Sequence, residues 1–220
     1  SLNIKKWDFG ASFSNDFSVQ VDKGIAKQLK ASQKQVLTLR VWNSKNLVGI
    51  TTTSDLSEKG LKKALYQANL ASDYGNQNEL TNFSPLAKDP IREIKVSKRS
   101  PAGIKKLLET LRIAENELLN KHSAIKTIPY NGLSESFFKR IYANSDGAQR
   151  SYEKSQAAIY LYARAEENDR KPRSSGSVKI GYGLEDIDIN SCIDEAAEKT
   201  LSHLNYSAIE TGKYKICFSP

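Results

Sequence analysis

The hydrophobic and polar positions of the chain alternate in two modes, and the mode changes at defined points. Phe17, Val19 and Val21 alternate with Ser18, Gln20 and Asp22, the period of a half-buried strand. Asp22-Lys23-Gly24 is a turn signal, after which Ile25 to Lys30 continues extended. Val36 to Trp42 predicts a second strand, with Leu37, Leu39 and Val41 on one face. Asn43 to Asn46 reads as a hairpin tip, and Leu47 to Thr53 returns as a β-branched strand. The period then becomes helical: Leu61, Ala64, Leu65, Ala68 and Ala71 recur at three and four. Asp55 is the expected cap, with Glu58 completing a capping box.

Residues 73–100 carry no clear period and read as a linker, with one short strand at Ile91 to Val96. Ser100-Pro101 predicts a helix start, followed by an apolar stripe of Ile104, Leu107, Leu108, Leu111, Ala114 and Leu118 ending near Asn120. Phe137, Lys139 and Ile141 then alternate again, and Asn144 to Gly147 forms a turn. Ala157 to Arg164 is apolar on both faces and is expected to be a central strand. Glu166 to Gly176 is a polar tip, and Val178 to Tyr182 a returning strand. Ser191 is the expected cap of a last helix, with Ile193, Ala196, Ala197, Leu201 and Leu204 inward.

The order strand, turn, strand, tip, strand, helix thus occurs twice, with Gly24 matching Gly147. The expected organisation is a β-β-β-α unit over 1–72, a linker over 73–100, and a helix plus a second β-β-β-α unit over 101–220. The fold class is α+β: antiparallel sheet segments with helices packed on one face.

Composition changes this picture little. The 220 residues are 39% hydrophobic and 26% charged, ordinary for a folded domain. The longest apolar run, Ala157 to Ala163, is far short of the ~18 residues of a membrane span. The first residues lack the apolar core of a signal peptide, so the cytoplasm is the expected location and no membrane partner is expected. The net charge of +8 lies entirely in the first half: residues 1–110 hold 18 basic and 10 acidic side chains, and the rest 15 of each. A basic half suits nucleic acid or an acidic partner. The lysines at 23, 27, 30 and 34 are spread out, without interleaved aromatics, so a solvated exterior is the preferred reading over nucleic-acid binding.

Candidate chemistry is sparse. There is no metalloprotease helix motif, phosphate loop or nucleophile elbow. His122 and His203 are each expected at a helix C-terminus, where a protonated imidazole favours the dipole. Cys192 and Cys217 are expected to be small apolar residues rather than nucleophiles. The tip Arg170 to Gly176 offers an anion grip only as the weaker reading. Glu166 and Glu167, neighbours on a strand, are expected to face opposite sides. Arg40, in an otherwise apolar strand, is expected to have a structural partner. No catalytic, metal-ligating or substrate-binding residue is assigned.

Several short motifs carry a resemblance. Leu39-Arg40-Val41-Trp42, Val48-Gly49-Ile50, Thr53-Ser54-Asp55-Leu56-Ser57, Asn144-Ser145-Asp146-Gly147 and Thr211-Gly212-Lys213-Tyr214 follow one another in an order that resembles the N-terminal part of the TldD/PmbA family, also called modulators of DNA gyrase. The resemblance implies a cytoplasmic protein that dimerises with a second TldD/PmbA-type subunit. It also implies a zinc metallopeptidase, or its partner, acting on unfolded or modified peptides. The zinc motif of the family, His-Glu-x-x-x-His with a later Cys, belongs to a C-terminal half and is absent here. The chain is therefore expected to be an N-terminal fragment of a longer protein, of the PmbA-like branch, with no cofactor of its own.

Overall fold

The computed structural model describes residues 2, 4–75, 82–90 and 99–218. Six strands and three helices follow in the order β1 (Lys6–Asp22), β2 (Ile25–Trp42), β3 (Val48–Thr53), α1 (Glu58–Ser72), α2 (Ile104–Asn120), β4 (Ile125–Asn144), β5 (Gln149–Ala165), β6 (Arg173–Gly181) and α3 (Ile189–Ser202). The strands form one antiparallel sheet in the order β3-β2-β1-β4-β5-β6. The expected α+β fold and the double strand-strand-strand-helix pattern are both present. The two units meet at the long antiparallel β1–β4 pair, so the second continues the sheet of the first. The expected strand at Ile91–Val96 lies outside the described residues.

All three helices lie on one face. Trp7 and Phe9 pack under α1 with Leu39, Val41 and Ala68, whereas Phe17, Val19 and Val21 pack under α2 with Leu107, Leu111, Ala114 and Leu118. These β1 residues are all odd-numbered, and a strand with period two sends them to the same side. Ile159, Leu161, Cys192, Ile193 and Ala196 complete the larger core beneath α2 and α3.

Several boundaries differ from the sequence expectation, each for a local reason. β2 is one strand of 18 residues and β4 one of 20, because their serine, lysine and glutamine positions are carried by neighbour pairing rather than by a buried face. Ser57, not Asp55, caps α1: its Oγ accepts from Gly60 N at 3.1 Å. Asp55 instead accepts from Ser57 N, closing the turn before the helix. Ser100 does not cap α2, which begins after Gly103 (φ 81°), because Ala102 N is drawn to the buried Glu135 carboxylate. Asp188 caps α3, and the expected cap Ser191 supplies the N–H it receives.

The buried stripe of α1 is Gly60, Ala64, Ala68 and Ser72; Leu61 and Ala71 are exposed. The cause is Gly49. A Cβ there would lie 1.9 Å from Ala68 O and 2.5 Å from Ser72 N, so it is the helix backbone, not a hairpin, that packs onto this glycine. Only small residues fit at such a distance. β5 is paired on both sides, as expected, but helices cover only one of its faces. Ile159 and Leu161 are fully buried, whereas Tyr162 is 42% exposed on the other face.

Gly24 and Gly147 occupy equivalent places in the two units and both have positive φ. Their turns differ in kind, however. Asn144 Oδ1 accepts from the N–H groups of Asp146 and Ala148. The same pattern recurs at the β2–β3 tip, where Asn43 Oδ1 accepts from Lys45 and Leu47. In both turns the fourth residue, Asn46 or Gly147, is left-handed. The turn twin of Asn144–Ala148 is therefore Asn43–Leu47.

Candidate functional site

The helix-free face of the sheet is formed by the even-numbered residues of β1, β4 and β5 and of the upper part of β2. At one end it carries a polar cluster. Asp8 stands opposite both Arg40 and Asn144 in the register. Arg40 Nε donates to Asp8 Oδ1 at 2.8 Å, and its Nη2 donates to Oδ2. Tyr142 OH donates to Asp8 Oδ2 at 3.3 Å and accepts from Asn144 Nδ2 at 3.3 Å. The Asp8 side chain is 3% exposed and that of Arg40 48%. Pairing with Asp8 raises the Arg40 pKa despite partial desolvation. Arg40 thus has the expected carboxylate partner, although it lies at the surface of the helix-free face. Beside it Trp42 meets Phe83 edge-on at 5.9 Å, and Lys6 Nζ lies 4.1 Å over the Phe83 ring.

Further along the same face runs a shallow groove of about 540 Å³, lined by residues of β1, β2 and β4 including Ser12, Ser14, Lys34, Val36, Phe138 and Arg140. Its floor is β1, where Gly10, Ser12 and Ser14 are small. Tyr130, Tyr152, Tyr162, Val178 and Ile180 are exposed beyond it.

Two buried carboxylates on the helix-bearing side have structural roles. Glu115 of α2 accepts from Lys23 N and Gly24 N, holding the β1–β2 turn, and Asn131 bonds both the N–H and the C=O of Val21. Glu135 accepts from Ala102 N and Leu184 N, tying together the entries to α2 and α3. Neither role was visible in the sequence, because each carboxylate serves backbone groups far away in the chain.

The soft ligands stay apart. Cys192 is buried in α3 and bonds Ser177 O; burial pushes its thiol pKa up, so it is no ready thiolate. His203 is the C-cap of the same helix, while His122 follows α2 and accepts from Ala124 N through Nδ1. Cys217 is exposed in the tail. Among the described residues no three His, Cys, Asp or Glu side chains are grouped to hold a metal.

Other expected features are absorbed by local contacts. Glu166 and Glu167 lie past the end of β5, where they pair with Arg164 and Arg170. At the tip, Arg170 donates to Leu204 O and Arg173 lies 4.1 Å over the Tyr206 ring, so these guanidiniums hold the segment after α3 rather than an anion.

Comparison with known proteins follows the same lines. Residues 98–204 match the family described as PmbA/TldA metallopeptidase central domain. No curated protein matches the chain. Among solved structures, a protein described as a candidate modulator of a DNA gyrase from Thermotoga maritima aligns over 94% of this chain and 46% of its own, with TM-score 0.79 and 18% identity. TldE from Thermococcus kodakarensis aligns over 90% and 44%, with TM-score 0.75 and 16% identity. A candidate modulator of DNA gyrase from Bacteroides thetaiotaomicron aligns over 97% and 49%, with TM-score 0.77 and 14% identity. The chain spans about half the length of these structures. No helix among the described residues is long and apolar enough to cross a membrane.

Proposed function

We propose that this chain is the N-terminal part of a PmbA-like subunit of a cytoplasmic metallopeptidase that acts on unfolded or modified peptides, paired with a second TldD/PmbA-type subunit. The observation that carries the reading is the match of residues 98–204 to the metallopeptidase central domain, supported by a fold shared along nearly the whole chain. In this reading zinc is held by residues outside this chain, whose part is to shape the peptide chamber and the contact with the partner subunit. The helix-free face, wide and studded with exposed tyrosines, is the surface suited to line such a chamber.

The test is expression of the complete reading frame, alone and with a TldD-type partner, followed by metal analysis and cleavage of an unfolded peptide. Chelator-sensitive cleavage by the pair is expected. Absence of cleavage and of bound zinc in every combination defeats the reading. A gel shift at two salt concentrations, with affinity falling steeply as salt rises, supports a nucleic-acid-binding module instead.

A further inference from the structure

We propose that the groove on the helix-free face docks an extended, acidic polypeptide segment, an inference that rests on the peptide-handling reading above and names the chemistry it prefers. The register sets out the groove in rows. Ser14 stands between Lys34 on β2 and Phe138 on β4, and Phe138 is followed by Lys154 on β5. In the next row Ser12 stands between Val36 and Arg140, and Arg140 is followed by Tyr152. Each row therefore sets one cation against one apolar group across a serine floor, and the cation changes wall from one row to the next.

The dimensions suit a single extended chain. The walls are two strand spacings apart, about 10 Å, and successive rows are two residues apart, about 6.6 Å, the repeat of an extended polypeptide. A segment lying along β1 meets a cation and an apolar group at every second residue. The charge is complementary as well. Lys34, Arg140 and Lys154 have no ion-pair partner among the described residues. The carboxylates of β1 on this face stand at the ends of the groove. Asp16 is held by Ser14 Oγ at 3.1 Å, and Asp8 is bonded to Arg40. A single strand of nucleic acid needs successive aromatic faces to stack on. Of the two rings that line this groove among the described residues, Phe13 lies on the helix-bearing side of β1, and Phe138 is tilted against Tyr152 with ring centroids 5.9 Å apart, which makes one aromatic pair at one wall rather than a run of stacking faces along the groove.

The experiment measures fluorescence anisotropy of a labelled peptide in which glutamate alternates with valine and serine. Its probes for comparison are the same peptide with glutamine for glutamate, and oligothymidine. The 220-residue chain is used throughout. The glutamate peptide is expected to bind at least about tenfold more tightly than the glutamine peptide, and less tightly as salt rises. The exposed double reversal Lys34→Glu with Arg140→Glu is expected to lose at least about tenfold. Lys105→Glu with Lys106→Glu, the same charge change on the exposed side of α2, is expected to stay within about twofold. Circular dichroism checks that each variant is folded. Equal binding of the two peptides, equal losses in the two variants, or no binding overturns the acidic groove while leaving the metallopeptidase reading to its own cleavage assay. Tighter binding of oligothymidine than of the glutamate peptide overturns the groove proposal and counts against the peptide reading as well.

Discussion

Asp8 is the residue whose environment departs most from its neighbours. It lies on the face without helices, yet it is 2% exposed, because Arg40 and Tyr142 close over it. Removing Arg40 leaves a buried carboxylate with one hydroxyl donor. Breaking a fully buried pair costs about 3–5 kcal/mol, but Arg40 is half exposed and water can replace part of its contact. Arg40→Ala is therefore expected to lower unfolding free energy by about 1–3 kcal/mol, read by urea denaturation, and a change within error would remove Arg40 from the structural core. Glu195 behaves differently. Hydrogen bonds from Lys179, then Lys199 and Ser177, hold its carboxyl down to about 2. An unfolded glutamate titrates near 4.3, so the folded state takes up this proton less readily. The contribution is complete above that value and is lost as pH falls from about 4 through about 2. Glu195→Gln is expected to flatten the acid limb of a Tm-against-pH profile in that window. An unchanged limb would show that the cluster is solvated away.

At the scale of elements, the close contact of α1 with β3 depends on two small-residue runs meeting. Gly49 permits the approach, and Ala64, Ala68 and Ser72 use it. Gly49→Ala places a methyl against helix backbone atoms that no rotamer change can move, and is expected to cost about 2–3 kcal/mol. Gly10→Ala, with nothing within 4 Å of its Cβ, is the matched control and is expected to be neutral or slightly stabilising. Ser57→Ala is expected to cost about 1 kcal/mol through its lost cap bond to Gly60. The same elements show how far the sequence could be read. The strong periods at 36–42, 104–118 and 157–164 located β2, α2 and β5, because a buried face leaves an apolar stripe. Residues 31–35 of β2, which join the two extended stretches read on either side, and the first half of β4 were not legible. Their residues are exposed or serve distant backbone, so pairing rather than burial makes them strands. The α1 stripe was legible at its centre, Ala64 and Ala68, but not at its ends, where Gly60 and Ser72 are buried in place of Leu61 and Ala71, since leucine is more conspicuous in sequence than the small residues that pack. The groove was missed for a related reason: Lys34, Ser14, Phe138 and Lys154 form a row only through the register of four strands.

For the whole molecule, the two β-β-β-α units are similar in order but do not have separate cores. Helix α2 lies between them. Its Leu107, Leu111 and Leu118 share one cluster with Val19 and Val21 of the first unit and with Leu133, Ile159 and Leu161 of the second. Glu115 of the same helix holds the β1–β2 turn, and β1 pairs with β4 over twelve positions from Asp8 to Val19. The matched family segment, 98–204, includes α2 but not β1, so that segment alone leaves the part of the helix that packs on Val19 and Val21 without a partner. Unfolding of one unit must expose residues that the other needs covered, and the transition should be shared. Both tryptophans, Trp7 and Trp42, lie in the first unit, whereas α2 and α3 dominate the far-UV helical signal. Tryptophan fluorescence therefore reports on the first unit alone, whereas far-UV circular dichroism reports on all three helices, two of which lie outside that unit. Their denaturant transitions are expected to coincide in midpoint and slope. A fluorescence transition completed before the helical signal is lost would mean that the first unit unfolds by itself and that α2 belongs energetically to the second alone.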